Sequence, residues 1–210
     1  MGDDTTPVQA VVFDVGRVLI EWDLRLLFAK LIEDGDELDW FLAEVVTEQW
    51  HHQHDEGRAL ADMVPERQAQ YPDHAELIDA YRHRFLETIP GPVAGMHEIV
   101  RRLAKADVPL YGLTNFGAEF WAQFRPTEPL FDLFDDVVVS GRESCAKPEA
   151  RIYEIAERRF AYPPAGLLFI DDKAENIAAA KARGWQGHVF TDAATLERDL
   201  VSRGLLSAGR

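Results

Sequence analysis

Three stretches of this chain run apolar and then stop on a polar side chain: Val11-Val12-Phe13 on Asp14, Tyr111-Gly112-Leu113 on Thr114, and Leu167-Leu168-Phe169-Ile170 on Asp171. A strand that is greasy at successive positions has to be covered on both faces, which is the condition of a parallel sheet between two helical layers. Chemistry-bearing groups are therefore expected at strand ends.

The rest of the pattern agrees. From about residue 92 the chain alternates short strands and helices. Met96, Ile99, Val100 and Leu103 fall on one face of a helix ending near Ala106, and a strand follows over Val108 to Leu113. Helices are predicted around Ala118 to Phe124, over Ala150 to Phe160, and over Ala174 to Arg183 closed by Gly184; strands over Val137 to Val139, Leu167 to Ile170 and His188 to Phe190. This βαβ rhythm predicts an α/β fold with a Rossmann-like parallel sheet. Residues 21 to 87 break it: they are rich in Leu, Glu, Ala, Trp and His and read as several helices without a strand. One strand, residues 10 to 15, precedes them, and Pro90-Gly91-Pro92 marks the return. The predicted organisation is a core of residues 1–19 and 89–210, with an all-helical block, 20–88, inserted after the first strand.

With 210 residues and 47% hydrophobic content, a sizeable core can form. Acidic side chains outnumber basic ones by 37 to 22, for a formal charge of −15, which opposes attraction to nucleic acid or to an anionic membrane. No apolar run nears the roughly 20 residues of a membrane span, and the N-terminus lacks a secretory pattern, so a cytoplasmic location is expected. Met1-Gly2 followed by Thr6 matches a myristoylation pattern in form, but Asp3 and Asp4 stand where basic charge would reinforce it; a disordered acidic start is the preferred reading. The lone Cys145 cannot make an internal disulfide and has no histidine beside it in sequence, so a packed thiol is preferred over a nucleophile.

In an open parallel sheet, ligands sit outside the carboxyl ends of the strands, where Asp14, Thr114 and the Asp171-Asp172 pair would meet. With Lys147 of Lys147-Pro148 beside them, three carboxylates face one ammonium, an excess of two negative charges. Like charges at about 4 Å repel by roughly 4 kcal/mol per pair at an effective dielectric of 20, so a cation is required. Magnesium, which favours carboxylate, carbonyl and water oxygens, suits the set.

These segments resemble the four motifs of the haloacid dehalogenase superfamily, mostly magnesium-dependent phosphatases, over nearly the whole chain. The resemblance implies a nucleophilic Asp14, a phosphoryl-holding hydroxyl on Thr114 followed by Asn115, a phosphate-neutralising Lys147, and a Mg2+ site made by Asp14, the Gly16 carbonyl, Asp171 and Asp172. Asn115, Thr114 and Lys147 are the expected substrate contacts. Lys147-Pro148-Glu149-Ala150-Arg151-Ile152-Tyr153 and Asp171-Asp172-Lys173-Ala174-Glu175-Asn176 are similar to the branch that includes bacterial α-glucose-1-phosphate phosphatases. The implied substrate is a small phosphorylated metabolite, a sugar phosphate favoured, and the helical block corresponds to the family's cap. Monomer and homodimer both remain open.

One position departs from the pattern. Most phosphatases of the superfamily carry a second aspartate two residues after the nucleophile, as general acid and base; here it is Gly16. Its carbonyl can still face a metal, but proton transfer is lost, at a cost of roughly 10²- to 10⁴-fold unless another group substitutes. Candidates are Glu21, Asp23, His51, His52 and His54, with Asp23 favoured among them, against a default in which both acids are merely solvated. His51 and His54, three apart, could suggest zinc, but no third ligand stands at a recognised spacing. Arg58 after Glu56-Gly57 is read equally as a crevice contact or a surface charge, and Trp22, Trp50 and Trp121 as core residues before pocket walls. Two other functions stay open: a metal-independent 2-haloacid dehalogenase, compatible with Gly16, and a phospho-ligand binding protein with little turnover.

Overall fold

A computed structural model describes residues 6–207; the acidic start, Met1 to Thr5, lies outside the described residues. Strand β1 (Ala10–Phe13) enters the centre of the sheet. A helical block follows, with α1 (Arg25–Phe28), α2 (Gly35–Trp40), a π-helical turn at Phe41–Val45, α3 (Glu48–Asp55), α4 (Leu60–Gln70) and α5 (Ala75–His83). The chain then runs through α6 (Met96–Lys105), β2 (Leu110–Thr114), α7 (Ala118–Phe124), β3 (Asp136–Val139), α8 (Ser140–Glu143), α9 (Ala150–Phe160), β4 (Leu167–Asp171), α10 (Ala174–Ala182), β5 (Gln186–Val189) and α11 (Ala193–Ser202). All strand pairs are parallel, in the order β3-β2-β1-β4-β5. Among the described residues, no helix is long and apolar enough to cross a membrane.

Every residue of β1, β2 and β4 is buried, and their side chains alternate between two cores. Val11, Phe13, Leu110, Leu168 and Ile170 pack on one face; Ala10, Val12, Tyr111, Leu113, Leu167 and Phe169 pack on the other, against Ile152, Tyr153 and Phe160 of α9. Two covered faces explain why the strands are apolar without a polar interruption. The first face merges with the helical block, whose Phe28, Phe41, Trp50, Met63, Ile78 and Tyr81 belong to the same core. The segments entering and leaving the block run together: Glu21 N–H donates to Gly91 O, Asp23 N–H to Thr88 O and Val93 N–H to Leu19 O.

Boundaries differ from the sequence pattern by a few residues. β1 stops at Phe13 because Val15 starts a tight turn, its carbonyl accepting from Leu19 and Ile20. β5 begins at Gln186, two residues before the apolar pattern, because it is an edge strand on which Gln186 and Gly187 are only half-buried. α10 is closed at Gly184 with φ +89°, a conformation a side chain disfavours.

One glycine is fixed by a close approach. A Cβ on Gly117 would lie 1.9 Å from Cδ2 of buried His54, whose Nδ1 is bonded to Arg58 O at 2.7 Å and whose ring meets Phe120 edge-on. Gly117→Ala is expected to destabilise the protein by about 1–3 kcal/mol, read as a lowered midpoint in thermal unfolding.

Candidate active site

The register brings the strand ends level. Phe13 pairs with Gly112 on one side and with Ile170 on the other, so Asp14 and Asp171 emerge side by side one residue later. Asp14 N–H donates to Ile170 O, which fixes the chain where it leaves the sheet. Lys147 comes from the segment before α9 and is placed by Asn115: its N–H donates to Asn115 Oδ1 at 2.8 Å, and its carbonyl accepts from Asn115 Nδ2 at 3.0 Å. Asn115 was expected as a substrate contact. It does line the cavity, but its amide is first engaged in holding the Lys147 backbone.

The Lys147 ammonium is buried and lies 2.8 Å from Asp14 Oδ1 and 2.7 Å from Asp171 Oδ2. Burial alone would pull its pKa down, but the charges of Asp14 and Asp171 more than offset this, so the ammonium holds its proton more tightly than a free lysine. Asp171 is fully buried and well supplied with donors: Lys173 N–H reaches Oδ1, and the Asn176 amide reaches both oxygens. Asp14 Oδ1 also accepts from Val15 N–H at 2.7 Å, whereas Oδ2 takes part in none of these bonds. Burial raises the Asp14 carboxyl to about 7; Lys147 opposes the shift, and Asp171 and Asp172 add to it. Asp172, half-buried, is raised as well, by burial and then by Asp171, against Lys147, Lys173 and Arg17.

Asp14, Asp171 and Asp172 each offer an oxygen within 4.8 Å of the others. That donor set fits a hard divalent ion: three carboxylates face one ammonium, and repulsion from Asp171 and Asp172 adds to the burial that raises Asp14. Asp14, Gly16, Asn115, Lys147 and Asp172 line one cavity of about 330 Å³. Thr114 and Asp171 are buried and do not line it. The Thr114 hydroxyl is buried with no hydrogen-bond partner among the described residues. A Cβ on Gly16 would meet nothing within 4 Å, so the room for the missing acid is open space.

The helical block forms the opposite wall through Trp22, Glu48, His51, His52, Asp55 and Phe85. Asp23, the favoured substitute acid, is not on that wall. Its carboxylate accepts from Arg25 N–H in an exposed turn, and Glu21 is exposed beside it. The histidines separate: His51 Nδ1 meets the Tyr81 hydroxyl at 2.7 Å at the cavity wall, whereas His54 packs inward against Phe120. Their geometry offers zinc no shared position. Trp22 lines the cavity; Trp50 and Trp121 pack in the core. Arg58 points away from the cavity to Gln53 and Glu66. Cys145 is buried, which raises its thiol pKa and leaves it a poor nucleophile.

Sequence reasoning did not single out Arg17 or Asp55. Arg17 adopts φ +62°, lies 4.9 Å over the Trp22 ring and pairs with Glu48 at the cavity rim. Nothing local in the sequence marks either residue: Arg17 depends on its contact with Glu48 of α3, and Asp55 on its place at the cavity wall and on the bond from Ser140 to its carbonyl.

The chain is similar to known proteins in both sequence and fold. The sesquiterpene phosphatase of Aspergillus oryzae is 28% identical over 190 residues, covering 89% of this chain and 92% of that protein. A haloacid dehalogenase-family enzyme of Bacteroides thetaiotaomicron, solved with magnesium and inorganic phosphate, superposes with a TM-score of 0.67 at 20% identity, covering 88% of this chain and 95% of that one. The L-2-haloacid dehalogenase of Xanthobacter autotrophicus, with chloropropionic acid covalently bound, gives a TM-score of 0.60 at 20% identity, over 93% and 83% of the two chains. The family model of the haloacid dehalogenase-like hydrolases matches residues 8–184. By that match, which runs from β1 through α10, this chain belongs to the haloacid dehalogenase-like hydrolases.

Proposed function

We propose that this hydrolase is a magnesium-dependent phosphatase of small phosphorylated metabolites, working by phosphoryl transfer to Asp14, with residues 20–88 as its cap. The observation that carries the reading is the buried Lys147 ammonium bridging Asp14 and Asp171 beside the Asp172 carboxylate. Lys147 and Val15 N–H hold Asp14 Oδ1, which leaves Oδ2 as the attacking atom. The mixed anhydride so formed is open to water, which splits one difficult displacement into two. The buried Thr114 hydroxyl and the Lys147 ammonium would take the transferring group's oxygens, with Asp171 and Asn115 keeping Lys147 in place. Asp14, the Gly16 carbonyl and Asp172 would hold the ion, with Asp171 adjoining. Magnesium, when bound, supplies the positive charge that neutralises both the carboxylates and the phosphoryl oxygens.

The sequence branch favours a sugar phosphate. A second substrate class has support from the cavity wall, where Trp22, Phe85, Phe116 and Ile20 present rings and aliphatic carbon to whatever stands beyond the phosphate. That wall, with the sesquiterpene phosphatase as a relative, supports an isoprenoid phosphate as the alternative.

Phosphate release from a panel of sugar and isoprenoid phosphates is expected with magnesium and is expected to vanish in EDTA. Chloride release from 2-chloropropionate that persists in EDTA would establish the dehalogenase instead. A fluoroberyllate adduct on Asp14 with no turnover across the panel would establish a binding protein.

A further inference from the structure

Gly16 leaves the departing oxygen without a proton donor from β1, and the opposite wall carries a group suited to the task. We propose that His52, oriented by Asp55, is the general acid and base of the reaction, a role that rests on the phosphatase reading above. Both residues stand on α3 and line the cavity that Asp14 lines from the sheet side. His52 Nδ1 lies 3.6 Å from Asp55 Oδ2, and its Nε2 lies 3.5 Å from Glu56 at the helix end. Asp55 is nearly fully buried, and its Oδ1 has no hydrogen-bond partner among the described residues. A buried carboxylate left half-satisfied is costly, so its retention beside two histidines calls for a functional reason.

The neighbouring His51 is unsuited. Burial lowers its pKa despite Asp55, its Nδ1 is committed to Tyr81, and its ring is stacked with Phe85 and 4.9 Å from Trp22. His52 is the opposite case: Asp55 beside its Nδ1 raises its pKa, partial burial opposes, the charge of Glu56 adds, and Lys173 subtracts. Lys173, which directly follows Asp172, lines the same cavity as His52. The dyad is anchored to the core as well. Ser140 Oγ donates to Asp55 O at 2.5 Å and accepts from Phe116 N–H at 2.9 Å, tying the end of α3 to the loop after Thr114.

The protons balance. As the bond from phosphorus to the leaving oxygen breaks and the bond to Asp14 forms, protonated His52 gives its Nε2 proton to that oxygen, which departs as an alcohol. The neutral ring then takes a proton from the water that attacks phosphorus and frees Asp14. Ester and water have become alcohol and phosphate, and His52 is protonated again.

The test compares p-nitrophenyl phosphate, whose leaving group needs no proton, with phenyl phosphate, which is nearly the same shape and does. In magnesium, His52→Gln is expected to lose about 10²-fold in kcat/KM on phenyl phosphate and only a few-fold on p-nitrophenyl phosphate. Asp55→Asn should show the same preference more weakly and move the alkaline limb of the phenyl phosphate profile to lower pH, because the proton on His52 is then held less tightly. Equal losses on the two esters, or no loss, overturn the proposal while leaving a phosphatase. A wild-type protein inactive on both esters and on the sugar and isoprenoid phosphates alike removes the phosphatase reading and the proposal with it.

Discussion

Asp14→Asn is expected to reduce phosphate release by about 10⁴-fold or more and, in the absence of metal, to make the protein more stable rather than less. On the proposed mechanism the loss of activity follows from removing the attacking oxygen: an amide cannot form the mixed anhydride, and Lys147, Thr114 and the carboxylates proposed to hold the metal then have nothing to act on. The gain in stability follows from burial. The Asp14 carboxyl is raised to about 7 because desolvation outweighs Lys147, with Asp171 and Asp172 adding repulsion. A raised carboxyl means the folded state binds more protons than the unfolded state between pH 4 and 7, so wild-type stability falls as pH rises through that window. Asparagine, of the same shape and without charge, escapes that fall. In EDTA the variant should therefore melt above the wild type at pH 7.5, and the gap should close by pH 4. Magnesium should narrow it at pH 7.5 by stabilising the wild type. A variant that melts lower at every pH would mean that the Lys147 contact dominates at this position.

How much of this site could be read without coordinates depends on where each residue's role is decided. The strands could be read because β1, β2 and β4 are buried on both faces, so their composition alone distinguishes them from amphipathic elements. Asp14, Thr114 and Asp171 could be placed because a strand end is a topological position, fixed once the sheet is parallel. β5 was shifted by two residues because an edge strand with Gln186 and Gly187 half-exposed carries little apolar signal. Across the cavity the sequence loses its hold. Asp23 stands close to Asp14 in sequence and looks like a substitute acid, yet its carboxylate is taken by its own turn. Asp55 stands far away in sequence and looks like one more acidic helix residue, yet its backbone is anchored by Ser140, a bond across 85 positions. Asn115 is a different case: its position at a strand end can be read from the sequence, but the engagement of its amide with the Lys147 backbone is visible only when the β2 loop and the α9 loop are brought together.

The second large effect is on stability. Lys147→Met should abolish turnover and lower stability by about 3–5 kcal/mol, since removing one partner of a buried ion pair strands the other. Asp14 and Asp171 both lose their cation, and Asp171 is the more costly of the two, since it is fully buried and has no water to turn to. The Asn176 amide and the Lys173 N–H would remain on it, but both are neutral donors and leave its charge unbalanced. For a chain of this length such a loss corresponds to a fall in melting temperature of roughly 10 °C. The methionine fills the lysine stem's volume beside the Phe169 ring, over which the ammonium lies at 5.3 Å, so the loss reports charge rather than a cavity. Adding Asp171→Asn should then recover a large part of the stability and none of the activity, because the pair is neutralised together while the phosphoryl oxygens still lack their cation. If the double variant is no more stable than Lys147→Met alone, the lysine is held by packing, and its bridge between Asp14 and Asp171 contributes little to the fold.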